Sequence, residues 1–255
     1  MKILVTGSSG FLGKFLCEFL AKKNHELIKA NSRNCDLKQQ NSLLQFNNIQ
    51  FDQIFHLAAW TQAGDFCLHH PGEQWLVNQS INTNVLAWWQ QYQPQAKMIC
   101  MGTSCSYDPY LPLVEDNYLE GRPIPSLFTY AMTKRMLLTG LQALSSQFGL
   151  RYLYLIPSTL YGPEYHNDGR QMHFIFDLVR KILKGKLHAA PVCLWGDGSQ
   201  VRELIHVSDF VKIMWQLNKT VENDHINIGY GQGFAIKEFA DKICEIVGYP
   251  FERIL

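Results

Sequence analysis

Tyr130 and Lys134 stand four residues apart in Tyr130-Ala131-Met132-Thr133-Lys134, at the start of a stretch with helical apolar spacing. Residues i and i+4 share a helix face, so a phenol and an ammonium at this spacing can line one pocket. A free tyrosine titrates at about 10 and is a poor acid or base at neutral pH. A lysine ammonium beside it favours the phenolate. Such a pair also arises by chance, as a core tyrosine beside a solvated lysine, so its meaning depends on what stands near it. Met98-Ile99-Cys100-Met101-Gly102 reads as a buried strand that delivers Thr103-Ser104-Cys105-Ser106-Tyr107. Ligands of open α/β sheets bind at the carboxyl ends of strands. A Thr103 hydroxyl there would share a substrate carbonyl with Tyr130.

A second constellation opens the chain. Thr6-Gly7-Ser8-Ser9-Gly10-Phe11-Leu12-Gly13 follows an apolar strand and begins an amphipathic stretch. One glycine permits the tight turn, one lets the backbone approach a pyrophosphate, and one lets strand and helix pack closely. The helix N-terminus adds unpaired N–H groups and a positive dipole end. The next strand runs out at Ala30-Asn31-Ser32-Arg33. An NAD site usually places an acid there for the ribose hydroxyl, whereas arginine accommodates a 2′-phosphate. No acid stands at that strand end, so Ser32 and Arg33 favour NADP(H), with NAD as the alternative, and Asp36 and Leu37 follow where adenine could lie.

The elements that must position these groups alternate. Candidate strands are 2–6, 26–30, 53–58, 97–101 and 151–156, and candidate helices are 11–23, 74–91 and 128–148. Continuous apolar strands separated by helices imply a parallel sheet covered on both faces, an α/β fold of the doubly wound Rossmann type. After Pro157 the rhythm changes, with a helix near 173–183, short strands near 192–195 and 202–205, a helix near 209–217, a strand at 225–228 and a helix at 236–247. We read 1–157 as the dinucleotide-binding domain. Residues 158–255 then form mainly a smaller substrate-binding lobe, some of whose segments return to the first domain.

Composition narrows the function classes. Of 255 residues 47% are hydrophobic and 18% charged, which excludes a disordered chain, and the formal net charge of +1 excludes wholesale electrostatic binding of nucleic acid. The apolar start is too short for a signal-peptide core, and no stretch reaches membrane-spanning length. Cys17, Cys35, Cys67, Cys100, Cys105, Cys193 and Cys244 are scattered, with no Cys-x-x-Cys pair, so neither a metal site nor a disulfide framework is expected. Free thiols fit a cytoplasmic setting.

Together the glycine motif, His56-Leu57-Ala58-Ala59, Thr103, Tyr130 and Lys134 resemble the extended short-chain dehydrogenase/reductases, the NAD-dependent epimerase/dehydratase family. Within it the chain is most similar to the GDP-L-fucose synthase group. Gly102-Thr103-Ser104-Cys105-x-Tyr107 resembles that group's Gly-Ser-Ser-Cys-x-Tyr. Leu160-Tyr161-Gly162-Pro163, Trp195-Gly196-Asp197-Gly198 and Arg202-Glu203-Leu204-Ile205-His206-Val207-x-Asp209 match further strings, and His173 falls where the group keeps an active-site histidine. The resemblance implies NADPH-dependent reduction of a 4-keto group on a nucleotide-linked sugar, with Tyr130 as proton donor and Lys134 on the cofactor ribose. It implies that Cys105 and His173 move protons at carbons flanking the carbonyl, giving C3/C5 epimerisation. It extends the cofactor contacts to Leu57, Ala58, Ala59, Asn78 and Pro157. Trp195, Arg202 and Thr159 become substrate contacts, although core packing is the other reading of Trp195 and an internal salt bridge that of Arg202. A homodimer through the 74–91 and 128–148 helices is also implied, with Trp88 and Trp89 at either interface or core.

Three departures qualify the match. Thr103 replaces serine but keeps the hydroxyl. Pro157-Ser158-Thr159-Leu160 stands where the group reads Pro-Thr-Asn-Leu, and Ser9 stands where a basic residue is common. Ser104-Cys105 occupies the places of the acidic pair found in the related dehydratases, which disfavours dehydration. The competing expectations are a redox-neutral nucleotide-sugar 4-epimerase with tightly bound NAD and a non-catalytic cofactor-sensing scaffold.

Overall fold

The computed structural model describes residues 1–62, 65–165 and 171–253. The first half runs β1 (Lys2–Thr6), α1 (Phe11–Ala21), β2 (Glu26–Ala30), β3 (Gln53–His56), α2 (Phe66–His69), α3 (Pro71–Tyr92), β4 (Lys97–Met101) and α4 (Phe128–Phe148). It continues with β5 (Tyr152–Pro157), β6 (Thr159–Tyr161), α5 (Phe174–His188), β7 (Val201–Arg202) and β8 (Leu204–His206). The chain closes on α6 (Val207–Thr220), β9 (Asp224–Ile228), β10 (Phe234–Ala235) and α7 (Ile236–Val247).

Six parallel strands make the central sheet in the order β2-β1-β3-β4-β5-β9. After β2 the chain crosses to the other side of β1, so the switch point lies between the carboxyl ends of β1 and β3. Apolar residues run without interruption through Ile3–Val5 of β1, Met98–Met101 of β4 and Tyr152–Ile156 of β5, where both faces are covered, whereas the edge strands β2 and β9 mix in charged and polar residues. Leu4, Met98, Cys100 and Tyr154 pack toward Trp88, Trp89, Leu138 and Leu141 of α3 and α4. The alternating Ile3, Val5, Ile99 and Leu153 pack toward Leu16, Leu20, Phe210 and Met214 of α1 and α6. Trp88 and Trp89 are therefore core residues, with indole N–H groups donated to Asn47 Oδ1 at 2.8 Å and Ala96 O at 2.9 Å. Trp89→Ala would cost roughly 3–5 kcal/mol.

Local sequence fixes the helix ends. Pro71 starts α3, where its missing N–H is no loss, and Glu73 lies in the first turn against the positive dipole end. Gly149 at φ 67° ends α4 in the left-handed conformation.

A separate apolar cluster of Leu178, Ile182, Val192, Ala240, Cys244 and Tyr249 joins α5 to α7. β7 and β10 pair antiparallel beside it, and β6 pairs with β8. The chain does return to the sheet, through α6 against α1 and β9 against β5.

Three expectations need correction. No strand forms over 192–195, where Val192 makes only an isolated bridge. Gly196 and Gly198 at φ 78° and 69° turn the chain away before a strand can extend. The expected strand at 202–205 is two strands, β7 and β8, with different partners. β3 stops at His56: Leu57 N still reaches Thr6 O at 3.3 Å, and the backbone of Leu57 and Ala58 then passes against Gly7.

Candidate active site

Gly7 sits at φ 65°, and a Cβ there would lie 2.7 Å from Ala58 N. A Cβ on Gly13 would lie 2.2 Å from Gly7 O, and one on Gly10 would lie 3.2 Å from the same oxygen. Ser8 ties the turn to the end of β2 through Ala30 O, from its amide at 3.1 Å and its hydroxyl at 2.9 Å. The first turn of α1 carries no acid, and Gly10 offers no side-chain cap, so its N–H groups face outward unneutralised. Phe11 opens that turn, and Leu12 packs down on the sheet beside it. This cradle suits an anion such as a diphosphate. At the end of β2, Asn31 N takes Asn34 Oδ1 at 2.8 Å and Arg33 N takes Asn31 Oδ1 at 2.9 Å. The turn is thereby preformed, with Ser32 and Arg33 exposed at its tip. Asp36 pairs with Lys38 at 3.5 Å, and Leu37 is buried.

Beneath the cradle runs a buried polar chain. Ala58 N–H reaches Thr6 Oγ1 at 3.4 Å, and Thr6 Oγ1 meets His56 Nδ1 at 2.9 Å. His56 Nε2 meets Asn82 Oδ1 at 3.2 Å, and Asn82 Nδ2 donates to Thr133 O at 3.4 Å. Since Asn82 Oδ1 can only accept, the imidazole carries its proton on Nε2 and accepts on Nδ1. Burial pushes His56 down to about 4 despite the Asn82 hydrogen bond, and the nearby Lys134 charge acts in the same direction as burial.

Lys134 is buried and donates to Met101 O at 2.9 Å. That carbonyl ends β4, so the ammonium pins the first turns of α4 to the strand that delivers Thr103. Burial lowers Lys134 to about 8. Its Nζ stands 5.9 Å from the centroid of the Tyr130 ring, one turn away. Burial pushes the Tyr130 phenol up, with Cys105, Tyr118 and Cys67 adding to the rise and a Thr61 hydrogen bond opposing it. Tyr130 is thus a phenol, not a phenolate, in the ligand-free protein. Thr103 caps a short turn and accepts Cys105 N–H at 3.3 Å. Burial also raises the Cys105 thiol, offset by the Thr103 hydrogen bond and by Arg202. The thiol therefore holds its proton at neutral pH. The structure brings Thr103, Cys105, Tyr130 and Lys134 to one edge, the carboxyl end of β4.

Arg135, next to Lys134, is buried and makes no ion pair among the described residues. It donates to Ser106 O, Leu119 O, Gly121 O and Glu120 O at 2.6–3.1 Å. These bonds fasten the whole 103–121 segment to α4.

His173 is the N-cap of α5, and its ring lies 6.1 Å from Tyr165. Tyr165 stacks on Phe176 at 4.0 Å and meets Phe11 edge-on at 5.2 Å, so this part of the lobe leans on the first turn of α1. Trp195 is 88% exposed, which removes the core-packing reading, and Lys181 Nζ lies 5.1 Å over its ring. Arg202 is exposed on β7 and bonds only Val201 O among the described contacts, with no internal salt bridge. Thr159 sits on β6 and Pro157 ends β5, both half-buried.

Asn78 is buried on α3. Its amide is spent on Trp60 N and Trp60 O, each at 2.9 Å, and on Gln74 O at 2.8 Å. It holds Trp60, and the backbone of Leu57 and Ala58, just before it, lies against Gly7. Thr61 was missed by sequence reasoning, because a threonine in irregular chain carries no periodic or motif signal.

The sequence profile of the NAD dependent epimerase/dehydratase family matches residues 3–229. The chain belongs to this family. One member, a GDP-L-fucose synthase of Dictyostelium discoideum, is 29% identical over 263 residues, covering 99% of this chain and 81% of that protein. A GDP-6-OMe-4-keto-L-xylo-heptose reductase from C. jejuni superposes with TM-score 0.88 at 22% identity, covering 97% of this chain and 84% of that one. A GDP-mannoheptose C4 reductase from Campylobacter jejuni with NADP bound gives TM-score 0.87 at 21% identity, covering 97% and 85%. The epimerase/dehydratase fold thus extends across the lobe as well as the sheet.

Proposed function

We propose that this protein is an NADPH-dependent reductase of a 4-keto group on a nucleotide-diphosphate sugar, with epimerisation at C3 or C5 flanking that carbonyl. One observation supports the reading: Lys134 Nζ donates to Met101 O, tying the first turns of α4, which carry Tyr130, to the end of β4, two residues before Thr103. The relatives' names point to GDP as the nucleotide.

A bound NADPH would supply hydride to the carbonyl carbon. Gly7, Gly10, Gly13 and the first turn of α1 would hold its diphosphate, and Ser32 and Arg33 its 2′-phosphate. Lys134 would hold ribose hydroxyls and, by its charge, lower the phenol above it. Tyr130, which burial keeps protonated, donates its proton to the carbonyl oxygen, while Thr103 gives that oxygen a second hydrogen bond. His173 would take the proton from a flanking carbon to give the enolate, and Cys105, which arrives protonated, would return one to the opposite face. Trp195 and Lys181 present an aromatic face and a cation to the nucleotide, Arg202 a charge for the diphosphate, and Thr159 a hydroxyl for the sugar.

The reading includes a homodimer. Leu76 and Met136 are 67% and 43% exposed on α3 and α4, and Glu73 is the one acid on α3, where no base is found. On α4 both charged residues, Lys134 and Arg135, are buried. A pair of outer faces with a single charge between them, Glu73 in the first turn of α3, suits a second copy. Free thiols support a cytoplasmic setting. Among the described residues no helix is long and apolar enough to cross a membrane.

The test is incubation with NADPH and a panel of nucleotide-linked 4-keto sugars in deuterated water. Loss of nicotinamide absorbance reports reduction, and deuterium at C3 or C5 reports epimerisation. Tyr130→Phe should abolish turnover and still bind NADPH. Reduction without deuterium uptake would remove the roles of Cys105 and His173. Binding without turnover in the wild type would leave a sensing scaffold.

A further inference from the structure

Two fully buried tyrosines, Tyr118 and Tyr154, lie between the loop that carries Thr103 and the helix that carries Lys134. Thr103 N–H donates to the Tyr118 hydroxyl at 3.3 Å. The two phenol oxygens are 3.0 Å apart. The Tyr154 hydroxyl donates to Lys134 O at 2.8 Å. A phenol has one hydrogen. Tyr154 spends its own on Lys134 O, so Tyr118 must be the donor in the phenol–phenol contact. The chain then runs in one direction, from Thr103 N–H through Tyr118 O–H and Tyr154 O–H to the carbonyl of Lys134. Burial raises both phenols, so neither loses its hydrogen at working pH. The Ser106 hydroxyl also lies beside Tyr118, and its hydrogen goes to Ala131 O at 3.2 Å, again on α4.

The steric frame fits this relay. A Cβ on Gly102 would stand 2.6 Å from Tyr154 Cε1 and 2.8 Å from the Tyr118 hydroxyl, so a glycine before Thr103 lets the backbone rest on both rings. The two rings meet at 64° with centroids 5.7 Å apart, and Tyr107 packs edge-on against Tyr118 at 5.2 Å.

We propose that Tyr118 and Tyr154 are positioning residues: their hydroxyl relay sets the spacing between Thr103 and the Tyr130/Lys134 turn. Neither phenol touches the reacting atoms. Each orphaned link would leave a buried donor or acceptor unpaired and let the two sides drift. The effect on turnover rests on the reductase reading above; the relay itself does not.

The experiment uses Tyr154→Phe and Tyr118→Phe, each removing one oxygen and keeping the ring. Hydrogen exchange at the Thr103 amide is read to the residue, with the Ile99 amide in mid-β4 as control. In Tyr118→Phe the Thr103 amide loses its acceptor directly. In Tyr154→Phe it keeps that acceptor, so faster exchange there means transmission through the relay. The expected result is exchange about 10-fold faster at Thr103 in both variants, Ile99 unchanged, and roughly 10-fold lower kcat with KM for the keto sugar within about two-fold. An unchanged Thr103 rate in Tyr154→Phe overturns the proposal. So does a rise shared with Ile99, which would mean general loosening, and so does unaltered kcat in an active enzyme. If the wild type turns over no keto sugar, the functional reading fails and the exchange data alone decide the relay.

Discussion

Acidification should destabilise this protein through His56 in a way that one substitution removes. The imidazole is buried between Thr6 and Asn82 with its single proton committed to Asn82 Oδ1. Its pKa is pushed from the usual value of 6.5 down to about 4. The folded state therefore favours the neutral ring, while the unfolded chain protonates it below 6.5. Where the unfolded state binds more protons, stability falls as pH falls. The contribution is full above the unfolded value and is lost between there and the folded one. Linkage arithmetic gives a loss of about 2 kcal/mol between pH 7 and pH 5, and about 3 kcal/mol by pH 4. For a chain of this size, 2 kcal/mol is roughly 4–8 °C in Tm. Carboxylates add their own acid dependence, and so does His25, which burial also lowers. These terms cancel when the wild type is compared with His56→Asn. The assay is urea unfolding of both proteins at pH 7 and pH 5. His56→Asn will start less stable, because Thr6 and Asn82 lose a partner, but its drop on acidification should be smaller by about 2 kcal/mol. Equal drops in the two proteins would refute the assignment of a buried neutral imidazole.

Gly13→Ala should abolish NADPH binding and lower the melting temperature, since its Cβ would meet Gly7 O at 2.2 Å; fluorescence titration and thermal unfolding check both. Arg33→Ala should weaken NADPH by roughly 10- to 100-fold, the worth of a charge-assisted hydrogen bond, and leave NADH nearly untouched in parallel titrations. Lys134, lowered to about 8, loses its charge as pH rises, so NADPH affinity should fall through that range and Lys134→Met should flatten the profile. Trp195→Ala should raise KM for the nucleotide sugar by several-fold with the melting temperature within a degree or two, because the ring is 88% exposed.

The sheet was legible because its strands are buried on both faces, and a run such as Ile3-Leu4-Val5 has no other use in a short element. The glycine turn was legible because Gly7 and Gly13 answer steric demands that no other residue meets. The helical repeat put Tyr130 and Lys134 on one face, and the strand that delivers Thr103 gave that spacing its meaning. The strand expected at 192–195 misled because local apolar content says nothing about a partner, and two left-handed glycines follow it. Asn78 shows a different limit. An amide on the inner face of α3 can serve a ligand or a loop, and its bonds to Trp60 are invisible in the spacing of the sequence. Thr61, Tyr118 and Tyr154 escaped notice because their partners lie on segments that spacing along the chain does not relate.

Arg135 grips its loop entirely through main-chain oxygens. Every residue offers that oxygen whatever its side chain, so the guanidinium reads the path of the segment and is blind to its spelling. Leu119 and Glu120 can therefore be exchanged widely while the track they follow stays put, and with it the hydroxyl and thiol at the far end. Randomising those two positions should yield many active variants, whereas shortening the segment by a single residue should yield none.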